Sequence, residues 1–169
     1  RRVLEARSVR MPAHDRRLLS ARVDLAQALY LQGEAAAAEE EFARALEQAG
    51  ALAPHDPMVR AAQAGAARVQ AARGAPVAAL ARQEVLRDAW MASLPADDVI
   101  LLQLRKDYAD NLVVLGQREA AGDEIQALLP AYRVRFGAEA NRTLAAMDTL
   151  AELEFTRNDY ERSAALDAG

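Results

Sequence analysis

Four turn-forming residues recur along this chain at nearly constant intervals. They are Gly33, Gly74, Gly116 and Asn158, separated by 41, 42 and 42 residues. A fixed period of this size is the mark of an array of repeated supersecondary units. A second series runs in phase with the first: His14-Asp15, His55-Asp56, Asp97-Asp98 and Gly137-Ala138, at steps of 41, 42 and 40. Two independent signals in register predict a repeat protein, whose task is to hold a partner rather than to transform one.

Hydrophobic residues make up 52% of the 169-residue chain, yet only 5% are aromatic, and much of the apolar total is alanine. Alanine is the best helix former and lets helices approach closely. Strands instead favour β-branched and aromatic residues. The composition therefore predicts tightly packed helix pairs. The net charge of −4 argues against direct nucleic-acid binding, which rests on clustered lysine and arginine. Lys106 is the single lysine, a usage we read as codon bias toward GC-rich DNA. The absence of cysteine excludes disulfide scaffolds, zinc fingers and thiol nucleophiles. No apolar run approaches the roughly 18 residues of a membrane span, and no signal peptide is visible. The expectation is a cytoplasmic protein without membrane contact. The chain opens at Arg1 within a helical pattern and stops in mid-helix, as a segment of a longer protein would.

Apolar spacing divides the chain into helices. Residues 1–11 read as the second helix of a preceding repeat, ended by Pro12. Asp15 is placed to cap the helix at 16–32, whose apolar face is Leu18, Leu19, Val23, Leu25, Leu29 and Tyr30. Gly33 punctuates, and its partner at 35–51 carries Ala38, Phe42, Ala45 and Leu46 on one stripe. Further helices are expected at 58–73, 76–94, 98–115, 118–135 and 140–157, with Asn158 as the last turn and a final helix from Asp159. The repeats so defined are 16–51, 57–94, 98–135 and a truncated 140–169, within one domain over 1–169. Connections of two to five residues force antiparallel neighbours, so each period is a helical hairpin. Stacked hairpins then bury a continuous core.

The first full unit, DLAQALYLQGEAAAAEEEFARAL, resembles the tetratricopeptide repeat (TPR) at Leu25-Ala26, Gly33, Ala38, Phe42 and Ala45-Leu46. Tyr108-Ala109 and Leu150-Ala151 hold the place of Leu25-Ala26 in later units. The common TPR is 34 residues long. The period here is similar to the longer kinesin-light-chain type found in many bacterial signalling proteins. FGAEANRT (136–143) looks like the inter-repeat loop of that type, echoed by APHDPMV and PAHDRRL. The resemblance implies an all-α, right-handed superhelical solenoid of antiparallel hairpins. The second unit departs most. Gln63, Gln70 and Gln83 stand where large apolar side chains are expected, which implies a shifted or loosely packed helix there. Tyr30 and Phe155 fall one place later than the family's tyrosine.

Candidate chemistry is sparse. The histidine–aspartate pairs are a period apart, with no further histidine at Asp97 or Ala138, so they read as inter-repeat loops with a capping aspartate rather than metal ligands. The serines lack a nucleophile elbow, and no glycine-rich phosphate loop is present. Neither catalytic residues, metal nor cofactor is expected. The acidic run Glu39-Glu40-Glu41 reads as a solvated helix face. In the resembled family the first helix of each hairpin lines a concave groove. That implies groove positions at Val23, Gln27, Tyr30, Ala64, Arg68, Gln103, Lys106, Asp110, Asp148, Glu152 and Phe155. Arg68 and Lys106 would form a basic zone, with Asp110, Asp148 and Glu152 an acidic one. A single lysine and few asparagines do not make the carboxylate clamp of co-chaperone repeats. The expected function is a non-catalytic protein- or peptide-binding module of a larger bacterial signalling or regulatory protein. Two alternatives stand beside it: self-association through the terminal repeats, giving a homodimer, and a peptide-sensing segment attached to a kinase or DNA-binding regulator.

Overall fold

The computed structural model describes residues 16–51 and 56–167, with side chains to residue 156. Every described element is helical: α1 (Arg16–Leu31), α2 (Ala35–Gln48), α3 (Pro57–Ala72), α4 (Pro76–Met91), α5 (Val99–Val114), α6 (Arg118–Phe136) and α7 (Asn141–Asp167), with one 3₁₀ turn at Ala49–Ala51 after α2. The all-α class expected from the alanine-rich pattern holds. The expected helix at 1–11, the Pro12–Asp15 joint and His55 lie outside the described residues.

Three of the periodic markers close hairpins in the same way. Gly33, Gly74 and Gly116 take φ values of 82°, 87° and 76°, a region that costs an L side chain about 1 kcal/mol or more but glycine nothing. In each case the glycine N–H donates to the carbonyl three residues back: Tyr30, Ala71 and Val113, at 3.0–3.1 Å. The next N–H reaches five residues back, Glu34 to Leu29, Ala75 to Gln70 and Gln117 to Leu112, at 2.9, 3.2 and 2.9 Å. This pair of bonds is the Schellman motif, which satisfies carbonyls that a helix end would otherwise leave bare. The residue that completes it also opens the following helix. Its own carbonyl accepts from Ala38, Ala79 or Ala121. Helices joined by three residues in this manner run antiparallel.

The joints between hairpins use side chains instead. Asp56 accepts from Met58 N–H at 2.8 Å ahead of Pro57 at the first helical position. Asp98 accepts from both Ile100 and Leu101 N–H at 3.0 Å. Carboxylate caps of this kind satisfy orphan donors and face the positive end of the helix dipole. The aspartates of the second in-phase series are therefore caps at both positions where they are described.

Packing groups the chain into two compact units, one ending at Gln83 and the other starting at Glu84. Each repeat touches mainly its neighbours, so an array has no central core to unify it. In the first unit α1 packs on α2, and both pack on α3. The core is built from Leu19, Val23, Ala26 and Leu29 of α1, Ala38, Phe42 and Ala45 of α2, and Val59, Ala62, Ala66 and Val69 of α3. Phe42, 1% exposed, places its ring directly on the backbone of Gly65 in α3, so that even a Cβ there would overlap it. In the second unit α5 packs on α6 and α6 on α7, around Leu101, Leu102, Leu104, Leu112, Ala121, Ile125 and Leu128.

Two expectations need correction. Gln63 does not replace an apolar residue: it stands eleven places before its hairpin glycine, where the flanking repeats carry Arg22 and Arg105. The position is polar in all three. Gln83, by contrast, does sit where Phe42 and Ile125 sit and is fully buried, 1% exposed. Asn158 is the second correction. The helix does not turn there; α7 runs straight through to Asp167. Among the described residues no non-glycine takes a positive φ. Asparagine keeps a Cβ, so the left-handed turn costs it what glycine escapes, while staying helical costs it only about 0.7 kcal/mol relative to alanine.

Candidate binding surface

The first helices of the hairpins supply the expected groove side chains, and the structure sorts them. Val23 (3% exposed) belongs to the core of the first unit, as its place on the apolar face of α1 requires, and Ala64 is buried as well. Neither can meet a partner. Gln27 is exposed and Tyr30 half-buried on α1; Arg68 of α3 is half-buried and holds its guanidinium 5.7 Å from the centre of the Tyr30 ring. A cation over an aromatic face gains roughly 0.5–1 kcal/mol at an accessible site and fixes both groups.

In the second unit, Gln103, Lys106 and Asp110 follow one another along α5. Gln103 Nε2 donates to Asp107 Oδ1 at 3.0 Å, and Lys106 Nζ to Asp110 Oδ1 at 2.5 Å. The Lys106 charge is thus met within its own helix. Asp148, Glu152 and Phe155 of α7 are exposed, Phe155 at 68%. Arg68 belongs to the first unit, where it stacks on the Tyr30 ring, and Lys106 to the second, where it is paired with the Asp110 carboxylate.

Sequence reasoning missed a repeated ion pair. Arg22 of α1 donates to Glu41 of α2 at 2.8 Å, and Arg105 of α5 to Glu124 of α6 at 2.5 Å. The spacing is 19 residues in both, and each partner holds the same offset from its hairpin glycine. All four side chains are nearly buried. Arg22 also donates to Gln48 Oε1 at 2.9 Å, and Arg44 reaches Glu41 at 2.8 Å. In the second unit Arg87 lies 3.8 Å from Glu124 and stacks over Tyr108 at 4.3 Å. Burial alone would lower its proton affinity, but Asp88, Tyr108 and Glu124 outweigh that and hold it above the ordinary arginine value. Aligning the glycines and comparing charges at equal offsets would have found this pair. Its partners saturate each other across a hairpin, which makes it a clamp between helices.

The acidic run is likewise occupied. Glu39 pairs with Arg73, Glu40 with Arg44, and Glu41 is the buried clamp residue. The solvated-face expectation holds only for Glu39 and Glu40. Among the described residues no cluster of His, Asp or Glu is arranged to hold a metal ion, and no helix is long and apolar enough to cross a membrane. His14, Asp15 and His55 lie outside those residues, whereas Asp56 is spent as a helix cap.

No family profile and no curated protein sequence matches the chain. Solved structures do. The chain is similar to the nearly identical TPR-like repeats of a putative kinesin light chain of Podosopora anserina: one crystal structure of them superposes with a TM-score of 0.75 at 20% identity, over 92% of this chain and 73% of the other. A second structure of those repeats gives 0.61 at 20% identity, over 79% of this chain and 64% of the other. The fold is therefore the TPR-like helical repeat.

Proposed function

We propose that the chain is a non-catalytic, protein- or peptide-binding module, part of a cytoplasmic bacterial signalling or regulatory protein, and that repeats 16–51, 57–94, 98–135 and 140–169 form one array. The observation that carries this reading is the Tyr30–Arg68 platform beside Gln27. It is a half-buried aromatic, packed against the core and held in place by a cation, on the helices that line the binding face in this fold. Rigid aromatic and arginine side chains at low ordering cost are what binding surfaces use as anchors. The strip Gln103, Lys106 and Asp110 and the acidic Asp148 and Glu152 add polar contacts of both signs, with Phe155 as an apolar one. A peptide with an aliphatic or aromatic anchor and mixed charge suits them.

The test is capture of a partner on the intact chain, followed by calorimetric titration of Tyr30→Ala and of the pair Arg68→Glu, Lys106→Glu. Loss of a platform anchor is expected to weaken binding by tenfold or more, about 1.4 kcal/mol, with circular dichroism unchanged. Binding that survives both variants undiminished would place the partner on another surface.

A further inference from the structure

We propose that the second hairpin is a built-in opening point: α4 detaches from α3 in a local unfolding event while the flanking hairpins stay folded. Comparison at equal distances from the three hairpin glycines carries the inference. Four residues before the glycine and nine after it, the first hairpin has Leu29 and Phe42, and the third has Leu112 and Ile125. All four are buried, and Leu29 and Phe42 share the core of the first unit. In the second hairpin the same two places hold Gln70 and Gln83.

Both glutamines weaken the closure. Gln83 is fully buried, so its amide gives up water without supplying the apolar burial of Phe42 or Ile125. Gln70 is half-buried, and its Oε1 lies inside the protein without a hydrogen-bond donor on it. The ion-pair clamp is missing as well. Eleven residues before and eight after the glycine, Arg22–Glu41 and Arg105–Glu124 bridge their hairpins. The second hairpin has Gln63 and Arg82 there. A glutamine and an arginine cannot form that ion pair, and Arg82 is exposed.

Little else holds α4. Only Ala79, Gln83 and Trp90 of this helix are buried, whereas α6 buries Ala121, Ile125, Leu128, Leu129 and Tyr132. The boundary between the two compact units also falls inside α4, after Gln83. The Gly74 turn has the same φ and hydrogen bonds as its neighbours. The weakness therefore lies in what faces across the hairpin, not in how the chain reverses. In a repeat array stability is a sum of local terms, so one weak hairpin opens at a lower free energy than global unfolding requires.

Native-state hydrogen exchange of the whole chain, read by peptide mass spectrometry, tests this. Amides in the interior of α4 should be protected at least about tenfold less than those in the interiors of α2 and α6. Two repairs copy the neighbouring hairpins: Gln70→Leu with Gln83→Ile for the core, and Gln63→Arg with Arg82→Glu for the clamp. Each should raise α4 protection by about tenfold and leave α2 and α6 unchanged. Equal protection of α4, α2 and α6 in the parent chain overturns the proposal. So do repairs that both leave α4 as it was, or that slow all three helices by one common factor, since the opening would then be global. Should the core repair lose helicity by circular dichroism, the clamp repair, at half-buried and exposed positions, decides by the same criteria.

Discussion

Gly65 offers the sharpest test of how the first unit is packed. It lies inside α3, where replacing glycine by alanine ordinarily stabilises a helix by about 1 kcal/mol. Here the added methyl must occupy space the Phe42 ring already fills, with ring Cε2 at 2.9 Å and two further ring atoms closer still. Carbon atoms rest at about 3.5–4.0 Å. The ring cannot swing outward, because Phe42 is among the most deeply buried side chains, in a core shared with Ala38, Ala45, Ala62 and Ala66. Overpacking typically costs about 1–3 kcal/mol, the upper part of that range for so close a contact, against a propensity gain of about 1 kcal/mol. Gly65→Ala should therefore destabilise by about 1–2 kcal/mol net.

Two controls isolate the cause. Gly122 also lies inside a helix, but a Cβ there would meet only Leu150 Cδ1, at an ordinary 3.9 Å. Gly122→Ala should stabilise by up to about 1 kcal/mol from propensity alone. Phe42→Leu removes the obstructing ring edge, so Gly65→Ala should cost less in that background, leaving a coupling of about 1 kcal/mol in the double-mutant cycle. Urea denaturation followed by far-ultraviolet circular dichroism measures all these chains. A Gly65→Ala midpoint at or above that of the parent would refute the reasoning, since the ring would then have had room to move.

Two further outcomes follow from the capping and titration chemistry. Asp98→Ala removes the acceptor for two backbone N–H groups at the start of α5 and should cost about 1–2 kcal/mol, with Asp98→Asn retaining most of it; urea midpoints of the two variants decide. Burial pushes the Tyr132 phenol up to about 12 from about 10 in an unfolded chain. The folded state thus holds its proton more tightly, so this contribution is complete below pH 10 and is lost as pH rises toward 12. Stability should fall through that window by on the order of 2 kcal/mol from this group, and Tyr132→Phe should remove that part of the slope. A slope identical in Tyr132→Phe would show that the phenol titrates normally.

What could be read from the sequence was whatever local backbone chemistry dictates. Glycine at a left-handed turn and aspartate before a helix announce themselves by residue type, and their spacing gave three hairpins and two capped joints. What escaped was chemistry that depends on two helices meeting. Arg22 and Glu41 look like ordinary surface charges until α1 and α2 are laid together, and Gln63 looks like a defect until it is aligned with Arg22 and Arg105. The groove failed at Val23 and Ala64 for a related reason. On a narrow helix one residue's rotation, about 100°, separates a side chain facing the core from one facing solvent.

Asn158 shows where a periodic argument reaches its physical limit. The interval places it with the three glycines, and glycine and asparagine are the two residues that visit the left-handed region most readily. Yet at Gly33 and Gly116 the second helix also packs back on the first: Ala38 and Ala121 are fully buried, and the clamps Arg22–Glu41 and Arg105–Glu124 tie the two helices together. The fourth hairpin has no such clamp, because Met147 cannot make one. Asparagine also lacks glycine's freedom from the left-handed penalty. With both terms weakened, continuing the helix keeps every backbone hydrogen bond at small cost, and α7 runs on.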